Sequence, residues 1–271
     1  MPRIVKKSSL PILIIIPHGG TRVPEELAGY ENVTPFDLFM QSDACANDIF
    51  SFGKRVAGTL ATDISRLFVD LDRPYTALGG GSEGVIKKTT LDGAPIFFEN
   101  HFPDEIAIAN IIHRYYIPYH DAIAKIIETD AISCILECHT MTPVGQKASK
   151  DAGMPRPLAL IETIARTPSG SVFTCAEDLA VPLQESLKKA LAREECATEE
   201  KVVISRTPSD GYILARYGRG GMPMIRLSLS RSLFINEQHF NFDFVRVDER
   251  RIAQLRELLW DVIHKWHARL F

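Results

Sequence analysis

The stretch Leu10-Pro-Ile-Leu-Ile-Ile-Ile-Pro17 is apolar along its whole length and leads directly into His18, Gly19 and Gly20. A continuous apolar run bounded by turn residues is typical of a parallel strand that is covered on both faces. We therefore predict a strand over residues 11–16. Similar runs predict four more strands, at residues 67–71, 132–138, 157–162 and 224–229.

Helical patterns lie between most of these strands. They predict helices over residues 35–60, 103–129, 173–193 and 246–268, and the last begins with acidic residues that suit a helix N-terminus. Strands that alternate with helices indicate an α/β fold with a mostly parallel sheet. Residues 77–86 and 206–212 interrupt the alternation, and we expect both to be loops near the site.

The composition favours one domain over residues 1–271. With 45% hydrophobic residues the chain can bury one large core, and no change in composition divides it. A net charge of -3 argues against general binding to nucleic acid or an anionic membrane, and leaves room for a small anionic substrate. Five cysteines without a CxxC spacing predict a reducing, cytoplasmic location rather than a disulfide framework.

Two histidines follow strongly apolar runs. His18 follows the first run, and His139 follows Ala131-Ile-Ser-Cys-Ile-Leu-Glu-Cys138. Ligands of open α/β sheets gather at the carboxyl ends of the strands, so the two imidazoles can converge on one metal ion. The alternative is a pair of hydrogen-bonded structural histidines. Strand alternation puts Glu137 on the same side as His139 and turns Cys138 toward a covering helix, which argues against a cysteine nucleophile.

The segment Ser65-Arg-Leu-Phe-Val-Asp-Leu-Asp-Arg-Pro74 contains a candidate anion clamp. Arg73 falls where the predicted strand ends, and the planar guanidinium of an arginine can donate paired hydrogen bonds to a carboxylate. A purely structural ion pair of Asp70 with Arg66 or Arg73 is the alternative.

Taken together, the motifs resemble the N-formylglutamate amidohydrolase family over residues 10–235. The resemblance is carried by Pro17-His-Gly-Gly-Thr-Arg-Val-Pro24, Ser65-Arg66, Val69-Asp-Leu-Asp-Arg73, Tyr116-Ile-Pro-Tyr-His120, His139-Thr-Met-Thr-Pro143 and Asp210-Gly-Tyr-Ile213, and it ends near Arg226 to Leu233. It implies a zinc carboxypeptidase-like fold, which is a mixed, mostly parallel sheet sandwiched by helices, with a zinc site at the strand ends. Tyr116 and His120 share a helix face and are expected to support that site.

The resemblance also implies the metal ligands. A catalytic zinc takes three protein ligands, and we expect His18, His139 and Asp43, with other divalent transition metals as alternatives to Zn²⁺. The carboxypeptidase pattern has a glutamate three residues after the first histidine, where this chain has Thr21. The third ligand therefore comes from elsewhere, and Asp43 is in competition with Glu25, Glu26 and Glu137. Asp43 as a simple surface or capping acid is the alternative.

Two positions depart from the family pattern. Asp72 stands where the pattern has an asparagine beside the clamp arginine, and we expect Arg66 or Arg73 to offset its charge, or the substrate to differ. Ser228 stands where the last strand typically carries a glutamate that shuttles the proton. Three alternatives follow: Glu137 or another acid takes that role, the alignment of this strand with the family pattern is shifted, or the protein is not a working deformylase.

The predicted function is metal-dependent hydrolysis of an amide in N-formylglutamate or a related small anionic N-acyl amino acid. The catalytic residues are expected to be Glu137 and Arg66, and the substrate-binding residues Arg73, Asp72, Thr140, Arg226 and Tyr212. The competing hypotheses are a metal- or ligand-binding family member without hydrolytic activity and a carboxypeptidase-like peptidase.

Overall fold

A six-stranded sheet forms the centre of the fold in the computed structural model, which describes residues 9–77, 81–129 and 131–271. The strands, in chain order, are β1 (Leu10–Ile16), β2 (Val56–Ala61), β3 (Cys134–Met141), β4 (Ala159–Glu162), β5 (Ile164–Thr167), β6 (Gly170–Phe173), β7 (Val202–Ser205), β8 (Met224–Ser230), β9 (Phe240–Asn241) and β10 (Arg246–Val247). The central sheet has the order β2-β1-β3-β8-β4-β7, and β5-β6 and β9-β10 are small two-stranded sheets. Within the central sheet only the β4–β8 pair is antiparallel among the described residues, so the predicted mixed, mostly parallel sheet is confirmed.

Helices cover both faces of this sheet. They are α1 (Pro35–Gln41), α2 (Ala46–Ile49), α3 (Glu105–Ile111), α4 (Ile117–Thr129), α5 (Glu177–Ala190), α6 (Tyr212–Tyr217) and α7 (Glu249–Leu270). Alternate residues of β1 enter two different cores. Ile12, Ile14 and Ile16 pack with residues of α2, α5 and α7, whereas Leu13 and Ile15 pack with residues of α3, α4 and α6. The continuous apolar sequence of β1 follows from burial on both faces.

Two predicted elements are wrong. Residues 35–60 do not form one helix, because the chain breaks after α1 and α2 and then forms β2, an edge strand whose residues alternate between more and less buried positions. Residues 67–71 do not form a strand. They form turns, with the amide of Phe68 donating to the carbonyl of Ser65 at 3.0 Å. Burial in the core, rather than strand pairing, accounts for the apolar character of this segment.

The remaining predicted elements agree more closely with the structure. The predicted helix over residues 103–129 is found as α3, a π-helical turn (Ile112–Tyr116) and α4. The sequence did not predict the short strand β7 or the helix α6, which begins at the end of the predicted loop 206–212. Within the other predicted loop, residues 78–80 lie outside the described residues, and the described remainder is irregular.

The two histidines meet at the carboxyl-terminal end of the central strands. This follows because β1 and β3 are parallel neighbours, with Ile15 opposite Glu137. His18 follows the end of β1, as expected. His139 lies within β3 rather than after it, since that strand continues to Met141. The backbone after His18 runs very close to the backbone at Asp63. A Cβ on Gly20 would lie 2.2 Å from the carbonyl carbon of Asp63, so this position has no room for a side chain.

Among the described residues, the structure contains no helix that is long and apolar enough to cross a membrane.

Candidate functional site

Three buried side chains converge where β1 and β3 meet the segment between α1 and α2. His18 and His139 approach with their ring centroids 5.2 Å apart. Asp43 lies between them, with Oδ2 at 2.7 Å from Nδ1 of His139 and 3.8 Å from Nδ1 of His18. The backbone fixes this arrangement, because the amide of Asp43 donates to the carbonyl of His18 at 2.8 Å.

His18 is held in one tautomer. Its Nε2 lies 2.7 Å from Oδ1 of Asp70, and an ionised carboxylate can only accept a hydrogen bond, so Nε2 carries the proton. Burial, reinforced by the charge of Arg66, lowers the pKa of His18 to about 4, which keeps the ring neutral near pH 7. Nδ1 is therefore a buried lone pair, and it has no hydrogen-bond partner among the described residues.

His139 is held from both sides by carboxylates. Nδ1 contacts Asp43, and Nε2 lies 2.9 Å from Oε1 of Glu137. Burial and the charge of Arg226 act to lower the pKa of His139, but the hydrogen bonds to the two carboxylates outweigh them and raise it to about 9. Burial acts to raise the pKa of Asp43, and the contact with His139 more than reverses this, so Asp43 is ionised.

These three residues fit a metal ion. One ligand atom from each of His18, Asp43 and His139 lies within 4.8 Å of the others, and the unpartnered Nδ1 of His18 is the kind of buried atom that a metal satisfies. A second group, Asp72, Glu137 and His139, is equally compact. It fits a metal poorly, because the guanidinium of Arg226 already lies 2.7 Å from Asp72 and 3.4 Å from Glu137.

Asp70 is the centre of a buried charge network that the sequence only partly indicated. Besides His18, it contacts Nζ of Lys87 at 2.5 Å and Nη2 of Arg66 at 3.2 Å, whereas Arg73 is 4.0 Å away. The structural ion pair between Asp70 and Arg66 is thus present. Lys87 was not identified from the sequence. This lysine lies in an irregular segment, and nothing in the sequence around it indicates that its side chain is buried, with only 1% exposed.

The charge of Asp72 is offset by Arg226, and not by Arg66 or Arg73 as expected. Nη1 of Arg226 donates to Oδ2 of Asp72 at 2.7 Å, and Oδ1 accepts from the amide of Ile213. Gly211 packs against this pair, since a Cβ there would lie 1.9 Å from Nη1 of Arg226. Arg226 therefore already binds a carboxylate of the protein.

A large cleft of about 980 Å³ opens beside Asp43 and His139. Its lining includes five arginines, which are Arg66, Arg73, Arg156, Arg226 and Arg231. A smaller recess of about 160 Å³ is lined by His18 together with Arg66, Arg73, Asp72 and Glu162. Positive groups next to the candidate metal ligands suit a small anionic ligand.

Some of the predicted site residues lie in the cleft and some do not. Thr140 and Ser228 line it, and the hydroxyl of Thr140 donates to the carbonyl of Ala44 at 3.0 Å. Tyr212 is not part of the cleft or recess lining in the described part of the chain; it packs on His120. Glu137 is fully buried and likewise lines neither of them.

Other candidates are accounted for by contacts elsewhere. Glu25 and Glu26, the rival third ligands, form ion pairs with Arg114. Cys138 belongs to the core on the opposite face of the sheet, which agrees with its predicted orientation. Tyr116 donates to the carbonyl of Arg73 at 2.6 Å.

His120 supports the same segment as Tyr116. Its Nε2 lies 3.0 Å from the carbonyl oxygen of Leu71. The two helix residues therefore hold the backbone that carries Asp70, Asp72 and Arg73.

Comparison with known proteins gives a consistent result. The sequence model of the N-formylglutamate amidohydrolase family matches residues 10–235. The chain is 30% identical over 125 residues to the N-formylglutamate deformylase of Pseudomonas aeruginosa. The aligned segment covers 44% of this chain and 46% of that relative, so the chain spans about half the length of the relative. The crystal structure of an N-formylglutamate amidohydrolase from Ralstonia eutropha JMP134 superposes with a TM-score of 0.72 at 21% identity, over 97% of this chain and 94% of the other. The alignment with a metallo-carboxypeptidase from Burkholderia cenocepacia covers 100% of this chain and 60% of the carboxypeptidase chain, with a TM-score of 0.39 and 13% identity.

The buried contact between Lys87 and Asp70 predicts a stability difference between two adjacent lysines. Lys87→Met leaves the buried Asp70 with less compensation, and we expect the free energy of unfolding to fall by about 3 kcal/mol in urea denaturation. Lys88→Met is the matched control. Lys88 is exposed and lies over the ring of Phe102, so its replacement should cost about 1 kcal/mol or less. Equal losses in the two variants would contradict the importance of the buried ion pair.

Proposed function

The chain belongs to the N-formylglutamate amidohydrolase family, and from this premise we propose that it is a zinc-dependent hydrolase of a linear amide, with N-formylglutamate or a related N-acyl amino acid as substrate. The observation that carries the proposal is the unpartnered, buried Nδ1 of His18 beside Asp43 and His139. A cleft whose lining includes five arginines and five acidic residues adjoins these residues, and its arginines can bind the carboxylate of a small N-acyl amino acid.

His18, Asp43 and His139 would hold the ion. Two imidazoles and one carboxylate suit zinc, and they also accept iron, cobalt or nickel. When bound, zinc supplies a Lewis acid that polarises an amide carbonyl and lowers the pKa of water toward neutrality. Asp70 and Glu137 would orient the two imidazoles through the hydrogen bonds described above, as outer carboxylates do in metal sites generally.

Arg73 and Arg66 are the groups best suited to hold the substrate. The side chain of Arg73 is 26% exposed and lines both the cleft and the recess. It pairs with the exposed Glu83 at 2.5 Å, and a substrate carboxylate would take the place of that partner. Arg66 lies 3.6 Å from Asp43, and its Nε has no hydrogen-bond partner among the described residues. We assign Arg73 to the substrate carboxylate and Arg66 to the amide carbonyl. Arg226 serves instead to neutralise Asp72.

A second candidate function is metal binding without hydrolysis. It is favoured by Ser228, which lines the cleft at a position where a carboxylate is expected and which cannot act as a base. A carboxypeptidase-like peptidase is a third possibility, and it would share the metal site and the carboxylate clamp.

The proposal is tested by release of formate and glutamate from N-formyl-L-glutamate. We expect release by the purified protein, loss of release after chelation, and recovery on addition of zinc. Assays on N-acetyl amino acids and short peptides define the substrate class. Bound zinc with no turnover on any of these substrates would favour the second candidate, and cleavage of peptides alone would favour the third.

Replacement of the clamp arginine should affect substrate binding selectively. Arg73→Ala removes charged hydrogen bonds to the substrate carboxylate, which are worth about 1.5–3 kcal/mol, so KM should rise by about tenfold to a hundredfold with metal content unchanged. Arg55→Ala is the control, because Arg55 pairs with Glu257 of α7, on the opposite face of the sheet. An unaltered KM in Arg73→Ala would remove this residue from the clamp.

A further inference from the structure

The missing carboxylate at Ser228 raises the question of which acid faces the reacting centre. The register of the sheet gives two adjacent rows across β3, β8 and β4. In one row His139 lies beside Ser228, which lies beside Leu160. In the next row Glu137 lies beside Arg226, which lies beside Glu162. Residues two apart in a strand share a face, so both glutamates lie on the same face of the sheet as His139.

The two glutamates differ in access to the cleft. Glu137 is 0% exposed and lines neither the cleft nor the recess in the described part of the chain. Its Oε1 is engaged by His139. The side chain of Glu162 is 15% exposed and lines both cavities. In the recess it faces the same small space as His18 and Arg66.

Glu162 is held in position by an ion pair that leaves most of the hydrogen-bonding capacity of its carboxylate unused. Its Oε2 lies 3.4 Å from Nε of Arg226, a distance beyond a strong hydrogen bond. Arg226 is fixed by Asp72 and packed against Gly211. The carboxylate of Glu162 is therefore oriented by a rigid cation, and it keeps lone pairs for another proton donor.

We propose that Glu162 is the proton-transferring acid of this enzyme, in place of the glutamate that Ser228 replaces. The inference rests on the proposed amidohydrolase function. As a water oxygen forms its bond to the acyl carbon, one of the water protons passes to the carboxylate of Glu162. As the carbon–nitrogen bond breaks, Glu162 returns that proton to the departing nitrogen. The products are a carboxylic acid and a free amine, and Glu162 is again ionised.

The test compares isosteric variants at the two glutamates. Glu162→Gln keeps the shape of the side chain and removes its basicity. We expect kcat on N-formyl-L-glutamate to fall by about 10²- to 10⁴-fold, with zinc content and KM unchanged within about threefold. Glu162→Asp retains a carboxylate and should restore part of the lost kcat.

Two further variants separate a catalytic from a structural effect. Glu137→Gln replaces the charged acceptor of His139 with a neutral amide oxygen, so it should lower zinc affinity by about 10- to 100-fold. Glu185→Gln, at an exposed position of α5, makes the same chemical change outside the site and should leave kcat, KM and zinc content unchanged.

The outcomes separate the role of Glu162 from the amidohydrolase function itself. Wild-type turnover with kcat retained in Glu162→Gln would overturn the assignment of Glu162 alone. Loss of zinc from Glu162→Gln in proportion to its loss of activity would also overturn it, because the residue would then act through the metal site. No turnover by the wild-type protein on any amide tested would overturn the proposed function and the role of Glu162 together.

Discussion

The candidate site depends on the contact of one buried carboxylate, that of Asp43, with the imidazoles of His18 and His139. The sheet supplies the two histidines, because β1 and β3 are parallel neighbours and deliver them to the same edge. The amide of Asp43 donates to the carbonyl of His18, which holds the backbone of Asp43 beside that of His18, and the carboxylate is oriented by its contact with Nδ1 of His139. The lone pair of His18 Nδ1 and the charge of Asp43 are buried together, and a divalent cation would satisfy both.

Compensation of buried charge organises the rest of the site. Asp70 is paired with Lys87 and Arg66, and Asp72 is paired with Arg226. Burial acts to raise the pKa of Asp70, but these cations and His18 hold it well below its ordinary value. The arginines differ in the acids they pair with. Arg226 is held by the buried carboxylates of Asp72 and Glu137, whereas Arg73 pairs at 2.5 Å with Glu83, whose side chain is exposed at the rim of the cleft.

The sequence predicted the elements whose signal is local and missed those defined by tertiary contacts. Runs buried on both faces predicted β1, β3, β4 and β8, and the strand-end histidines predicted that His18 and His139 converge. Asp43 was expected only from the family resemblance. The sequence pattern wrongly predicted a helix through β2, which is an edge strand that follows two short helices. It also wrongly predicted a strand at residues 67–71, where apolar residues pack in turns. Two residues of the site could not be found from sequence. Lys87 is buried within an irregular segment, and Glu162 faces the cleft only because of the register of β4 with β8.

Whether His18, Asp43 and His139 form a metal centre is decided by the metal content of the wild-type protein and of Asp43→Asn, determined by elemental analysis after purification under zinc-replete conditions. The substitution keeps the shape of the side chain and removes the charge that links the two histidines. We expect about one zinc ion per chain in the wild type and a loss of most of it in the variant, with the fold retained by circular dichroism. Stoichiometric zinc in Asp43→Asn, or none in the wild type, would contradict the assignment of this cluster as a metal centre.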